Sequence, residues 1–190
     1  MKKLLLSLTT LILVSCSSTG ERTIASMDGN NRPAWATLEK SLTVKEGKVL
    51  ILGFKELDAD AKISAAFRLS DNAARGELSK TINTQFSSIL QNLEEGVGDA
   101  GEMARFYSAE VSKMTLNELR IVNRYWEKVQ SLDRDGEPTF RLRAYSLAEI
   151  PEAKLKKMIR ESMNKDTIPP EVKKQMLDHF EGEIQQFQSR

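Results

Sequence analysis

The chain predicts an α+β fold, with long helices packed on a small antiparallel sheet and an extra C-terminal helix. Three observations lead there. Leu78, Ile82, Phe86, Ile89 and Leu93 recur at spacings of three and four residues, the period of an amphipathic helix. Phe140-Arg141-Leu142-Arg143-Ala144 alternates apolar and polar, as a half-buried strand does. Between that run and another strand-like stretch lies Asp133-Arg134-Asp135-Gly136-Glu137-Pro138, whose Asp-Gly step is a hairpin turn signal.

In chain order, Lys2 and Lys3 precede the apolar stretch Leu4 to Val14, then Ser15-Cys16-Ser17-Ser18. A basic start, an apolar core and small residues at a cleavage point form a secretory signal peptide. Its apolar core of about eleven residues reaches roughly 16 Å as a helix, short of the about 30 Å of a membrane span. Leu13-Val14-Ser15-Cys16 also has the form of a bacterial lipobox. Cleavage between Ser15 and Cys16 would make Cys16 the acylated mature N-terminus. Ser17 in place of Asp, by enterobacterial sorting rules, favours the outer membrane, with the domain in the periplasm. Cys16 is the single cysteine, so no internal disulfide can form.

Residues 17–32 are polar, small and aperiodic, and read as a flexible tether. The expected organisation is a signal peptide at 1–15, a lipidated tether at 16–32, an α+β domain at 33–165 and a helical extension at 166–190. Pro33-Ala34-Trp35 marks the first anchored segment. Lys48 to Phe54, after Gly47, is a short apolar run suited to a covered strand, in which Gly53 signals a bulge or a close backbone approach. Asp58 and Asp60 are candidate helix N-caps. The helix after them carries Ile63, Ala66, Leu69 or Ser70, Ala73 and Ala74 on the stripe that Leu78 continues, and Gly96 is a candidate stop. Met103, Phe106, Tyr107, Val111 and Met114 share a face of a second helix. Arg120 to Gln130 has the β-branched and aromatic content of a strand. In the hairpin, Phe140, Leu142 and Ala144 point inward. Pro151 opens a helix through Met163, Ile168-Pro169-Pro170 breaks it, and Val172, Met176, Phe180, Ile184 and Phe187 mark a last helix over 171–187.

Chemistry is sparse. His179 is the single histidine, remote in sequence from any nucleophile that a triad would need, and zinc sites need more His and Cys than this chain has. Asp133 to Gly136 falls short of a calcium loop, because Pro138 interrupts the alternation of oxygen ligands. Gly96-Val97-Gly98 follows a helix rather than a strand and lacks the rest of a phosphate-binding fingerprint. Asp58, Asp60, Glu94 and Glu95 are explained as caps and a solvated helix end rather than as an acid–base pair. Lys154, Lys156, Lys157 and Arg160 make one helix face basic, either solvated or facing an acidic lipid or partner surface. Losing Lys2 and Lys3 with the signal peptide lowers the basic count from 28 to 26 against 27 acidic residues. That near-neutral balance gives no drive toward nucleic acid. No catalytic, cofactor or metal site is expected.

The order of tether, Pro33-x-Trp35, apolar strand with Gly53, alanine-rich helix (Ala61, Ala65, Ala66, Ala73, Ala74, then Leu78 and Ile82) and paired strands with Trp126 and Tyr145 carries a resemblance. It resembles the small bacterial lipoprotein family named for a twenty-kilodalton membrane-associated lipoprotein, and related flagellar outer-membrane lipoproteins, over about residues 33–163. The resemblance implies helices on a small antiparallel sheet and a role in envelope assembly, in some relatives as ring-like structures around the flagellar motor. The family has no catalytic residue set to carry over, and the final helix has no placed counterpart. The expectation is a non-enzymatic, lipid-anchored outer-membrane protein of the cell envelope. It would act through protein–protein contacts, as a homo-oligomer or with an envelope partner, with Trp35 and Trp126 as candidate partner surface. The alternative is a periplasmic enzyme or small-ligand binder with a pocket of convergent polar groups.

Overall fold

The computed structural model describes residues 21–29, 31–38, 40–92 and 100–163, and helical residues at 170–171, 173–175, 177–178 and 182. The fold is α+β: a five-stranded antiparallel sheet with helices packed on it. The strands are β1 (Arg22–Ser26), β2 (Leu42–Lys45), β3 (Lys48–Asp58), β4 (Arg120–Leu132) and β5 (Pro138–Pro151), in spatial order β1-β4-β5-β3-β2. The helices are α1 (Ile63–Asn92), α2 (Ala100–Glu118) and α3 (Glu152–Met163).

Helix α1 forms because its apolar residues repeat every fourth position. Ala66, Ser70, Ala74, Leu78, Ile82 and Phe86 are all buried, whereas Leu69 is exposed and lies off the stripe. The small residues of its first half let the helix backbone approach the sheet. Gly53 of β3 is the point of closest approach: a Cβ there would lie 2.0 Å from the Ser70 carbonyl oxygen and 2.5 Å from the Ala74 nitrogen. The expected close approach is therefore found, and β3 pairs with β5 through Gly53 without a bulge.

The main core lies between the sheet and the helices. Val49, Ile51, Ala148 and Ile150 meet Leu78, Ile82 and Phe86 of α1, Tyr107 and Val111 of α2, and Leu155, Met158 and Ile159 of α3. Leu177, in the region expected to form the last helix, packs against this core. A second cluster on the same sheet face joins Ala66, Leu142 and Ala144 with Phe67 and Trp126. On α2, Tyr107 and Val111 are buried but Phe106 is 48% exposed, so the expected apolar face is narrower than its sequence pattern.

Several boundaries differ from expectation. The segment read as a tether is structured from Arg22 onward, because β1 pairs with β4 (Arg22 with Gln130, Ser26 with Glu127). An edge strand needs only one backbone partner, so its polar sequence does not prevent pairing. Strand β2 pairs with β3 through a tight turn in which Glu46 and Gly47 both have positive φ. Strand β5 continues to Pro151, which ends the strand instead of opening the helix. Both faces of its central part are covered, since Ala144 to Ala148 are all buried, and that removes the alternation that would have revealed it. Asp58 ends β3 and α1 starts at Ile63, so neither Asp58 nor Asp60 stands at the capping position. Phe140 is 44% exposed rather than inward, because its place on β5 lies beyond the cover of α1. Gly96, Ile168, Pro169 and the side chains of Ile89, Leu93 and Met103 lie outside the described residues.

Candidate functional site

The sheet face opposite the helices is where charged residues gather. Strands β1 and β2 sit at opposite edges, so the segment joining them crosses that face. It does so through a single 3-10 turn, Ala34–Thr37, set by Pro33. The Ala36 N–H donates to the Pro33 carbonyl at 2.9 Å, and the Thr37 hydroxyl donates to the Ala34 carbonyl at 2.7 Å. Trp35 and Ala36 pack on Tyr125, Tyr145 and Leu52.

Beneath this strap lies Glu127 of β4, whose side chain is 1% exposed. Its carboxylate pairs with Arg32 of the strap, whose Nε donates to Oε2 at 3.2 Å. The Tyr145 hydroxyl donates to Oε1 at 3.1 Å, and the Tyr125 hydroxyl approaches Oε2 at 3.5 Å. The Arg32 guanidinium also stands 5.5 Å from the centre of the Tyr145 ring. The charge row continues outward. Glu21 lies 3.9 Å from Arg32 and pairs with Arg143, which donates from Nε to Glu56 at 2.6 Å. An alternating series, Glu127–Arg32–Glu21–Arg143–Glu56, thus fastens the N-terminal segment to three strands.

The electrostatics follow this geometry. The hydrogen bond to Glu127 raises the Arg32 pKa against the opposing effect of burial. Burial alone would lower Arg143, but its hydrogen bonds to Glu21 and Glu56 outweigh that and raise it. Burial pushes the Tyr145 phenol upward, and the neighbouring Glu127 charge adds to the shift. Both Glu127 oxygens are occupied by donors, so the arrangement acts as a clamp on the strap.

A second polar node lies where α1 meets the sheet. Asp71 accepts from Arg124 (Nε at 3.1 Å, Nη2 at 2.7 Å) and from the Ser146 hydroxyl at 2.6 Å. Ser70 and Ser146 share a hydrogen bond at 2.6 Å. Burial acts to raise Asp71, but the hydrogen bonds from Arg124 and Ser146 prevail and lower its pKa. The small Ser70 at this point permits the same close approach that Gly53 requires.

Among the residues singled out by sequence, Ser15, Cys16, His179, Glu94, Glu95 and Gly96-Val97-Gly98 lie outside the described residues. Trp35 and Trp126 are both half-buried and belong to clusters on opposite faces of the sheet, so they do not form one surface. Asp58 is 79% exposed and pairs with Arg141. It borders a shallow depression of about 290 Å³ with Glu56, Leu57 and Arg141, where both carboxylates are held by arginines. Asp133 Oδ1 accepts from the N–H groups of Asp135 and Glu137, each at 2.9 Å, which closes the loop as a turn. Among the described residues no group of His, Cys, Asp and Glu is arranged to hold a metal ion, and no helix is long and apolar enough to cross a membrane. Lys154, Lys156 and Lys157 pair with Glu118, Glu152 and Glu161, so these three lysines of α3 have acidic partners within the domain.

Sequence reasoning missed Glu127, Arg32 and Arg143. The available signal was the position of Glu127 between Tyr125 and Val129 on one strand face, a carboxylate in an otherwise apolar row. Comparison of the chain with protein-family models, curated proteins and solved structures returns no match.

Proposed function

We propose that this protein is a lipid-anchored lipoprotein of the bacterial outer membrane, with its domain in the periplasm and a non-enzymatic, assembly role through protein–protein contacts. The observation that carries the reading is Leu13-Val14-Ser15-Cys16 behind a basic and apolar leader. Processing there makes Cys16 the lipidated N-terminus, and several acyl chains hold far more firmly than one.

The architecture is compatible with a scaffold. Strand β2 covers only the Lys48–Ile51 part of β3, and β1 covers only the Glu127–Gln130 part of β4. The lengths of β3 beyond Leu52 and of β4 before Trp126, whose edge groups bond Ser41 and Met27, offer backbone groups for lateral pairing, with a second copy or with an envelope protein. The clamp around Glu127 keeps the N-terminal segment seated, so a load on the anchor passes into the sheet.

Two measurements on the full chain test this. Replacing Cys16 with Ala should remove the protein from the outer-membrane fraction, because the acylation that holds it there is lost. Sizing of the native protein in mild detergent should show an oligomer or a co-purifying envelope protein. A strict monomer at high concentration without a partner contradicts the assembly role.

A further inference from the structure

The first strand begins close in sequence to Cys16, and the end of the sheet where it begins carries exposed apolar side chains beside a charged turn. From Cys16 to Glu21 there are five peptide links, which span at most about 18 Å when fully extended. Glu21 is fixed to Arg143, and Arg22 lies opposite Gln130, next to the β4–β5 turn. Strand β1 is antiparallel to β4, so its first residue, Arg22, lies toward the turn and Ser26 away from it. A lipid on Cys16 therefore lies near this end of the molecule. The opposite end, at the β2–β3 turn, is separated from it by most of the 14 residues of β5, a distance of about 45 Å.

Large apolar side chains stand exposed at the turn end, as Phe54 of β3 and Val122 of β4 also do farther along the sheet. Leu132 is 52% exposed, and Phe140 and Ile24 are each 44% exposed. Leu132 and Phe140 pair across the hairpin with Pro138 and Gln130. Both belong to the face that α1 covers farther along, and Ile24 stands at the irregularity in β1. The turn itself carries Asp133, Asp135 and Glu137 against Arg134 alone, a net negative balance that opposes strongly anionic headgroups.

We infer that the β4–β5 hairpin end is a membrane-facing surface that seats Leu132, Phe140 and Ile24 in the interface of a zwitterionic leaflet, so that the domain stands on the bilayer instead of swinging on a long tether. This inference rests on acylation of Cys16. Its physical basis is the short reach of the anchor together with apolar side chains at the end it reaches.

The test uses the full-length chain purified from bacterial membranes and reconstituted in phosphatidylcholine–phosphatidylethanolamine vesicles. With Cys16 acylated, Leu132→Cys supplies the single reactive thiol for an environment-sensitive fluorophore. Phe140→Cys gives an independent second site, and Lys45→Cys at the opposite end is the control. Labels at 132 and 140 should shift to the blue and lose emission to a nitroxide lipid whose spin label sits about 5–10 Å into the leaflet. The label at 45 should remain water-like and unquenched. Equal, water-like emission at all three sites overturns the inference, as does protection at 132 that follows protein concentration and not lipid, which would assign the surface to a second copy. Mass measurement of the same preparation separates the two failures. Acylated Cys16 with unquenched labels removes the docking surface alone, and unmodified Cys16 removes the anchoring reading and the docking surface with it.

Discussion

Arg32, on the segment that crosses the sheet, holds the carboxylate of Glu127, which is buried at the centre of that face. Ninety-five positions separate the two residues, so their pairing closes a large part of the fold. Removing one member of a buried pair leaves the other charge without compensation, at a cost of about 3–5 kcal/mol. Arg32 is about a third open to water, so Arg32→Ala should fall at the low end, about 3 kcal/mol. Urea unfolding should show this as a lower midpoint, and limited proteolysis should cut the 27–38 segment sooner. An unchanged midpoint with an intact strap would contradict the clamp.

Two glycines predict opposite signs for the same substitution. At Gly53 a methyl group would meet backbone atoms of Ser70 and Ala74, which cannot move aside without displacing α1. Gly53→Ala should destabilise by at least about 3 kcal/mol, the upper range of overpacking. Gly76 of α1 has no atom within 4 Å of an added Cβ. There Gly76→Ala should stabilise by about 0.5–1 kcal/mol, through lower backbone entropy of the unfolded chain. Thermal unfolding of both variants gives the comparison.

Asp71 makes stability sensitive to acid. Burial raises its pKa, yet the hydrogen bonds from Arg124 and Ser146 leave it below its ordinary 3.8. A carboxyl whose folded pKa is depressed contributes stability above its unfolded value, and that contribution is lost as pH falls through the folded one. Stability should therefore decline below about pH 4, and Asp71→Asn should lower stability at neutral pH while flattening that decline. Denaturant unfolding between neutral and acidic pH checks it, and equal acid slopes in both proteins would contradict it.

At the alkaline end the buried phenols govern. Burial, with the Glu127 charge, raises Tyr145 above its ordinary 10.0, and burial raises Tyr125. The unfolded chain then loses protons that the folded chain keeps, so stability falls as pH rises past about 10. Ultraviolet titration should show phenolate from these two residues appearing at higher pH than from an ordinary tyrosine. Glu127→Gln should bring Tyr145 part of the way back to the ordinary range.

Local signals in the sequence were readable wherever one residue pattern decided the structure. The fourfold spacing from Ala66 to Phe86 fixes the buried stripe of α1, and Asp135-Gly136 marks the hairpin, with Gly136 at φ 84°. Gly53 stands in an apolar strand where a side chain would otherwise be expected, and it marks the helix contact. What could not be read depends on partners distant in sequence. Arg22–Ser26 and Leu42–Lys45 are short and partly polar, and become strands because β4 and β3 present open edges. Glu127 resembles a surface residue until the strap covers it and Arg32 arrives. The far half of β5 lost its alternation because the strap and the helices bury both of its faces.

The central claim is that a lipid on Cys16 holds this domain against the outer membrane. The most direct measurement is the intact mass of the mature protein extracted from bacterial membranes, with fragmentation of its N-terminal peptide. The account predicts a chain that begins at Cys16 and carries covalent acyl chains there. A chain that retains Met1, or one cleaved elsewhere with Cys16 unmodified, would contradict it.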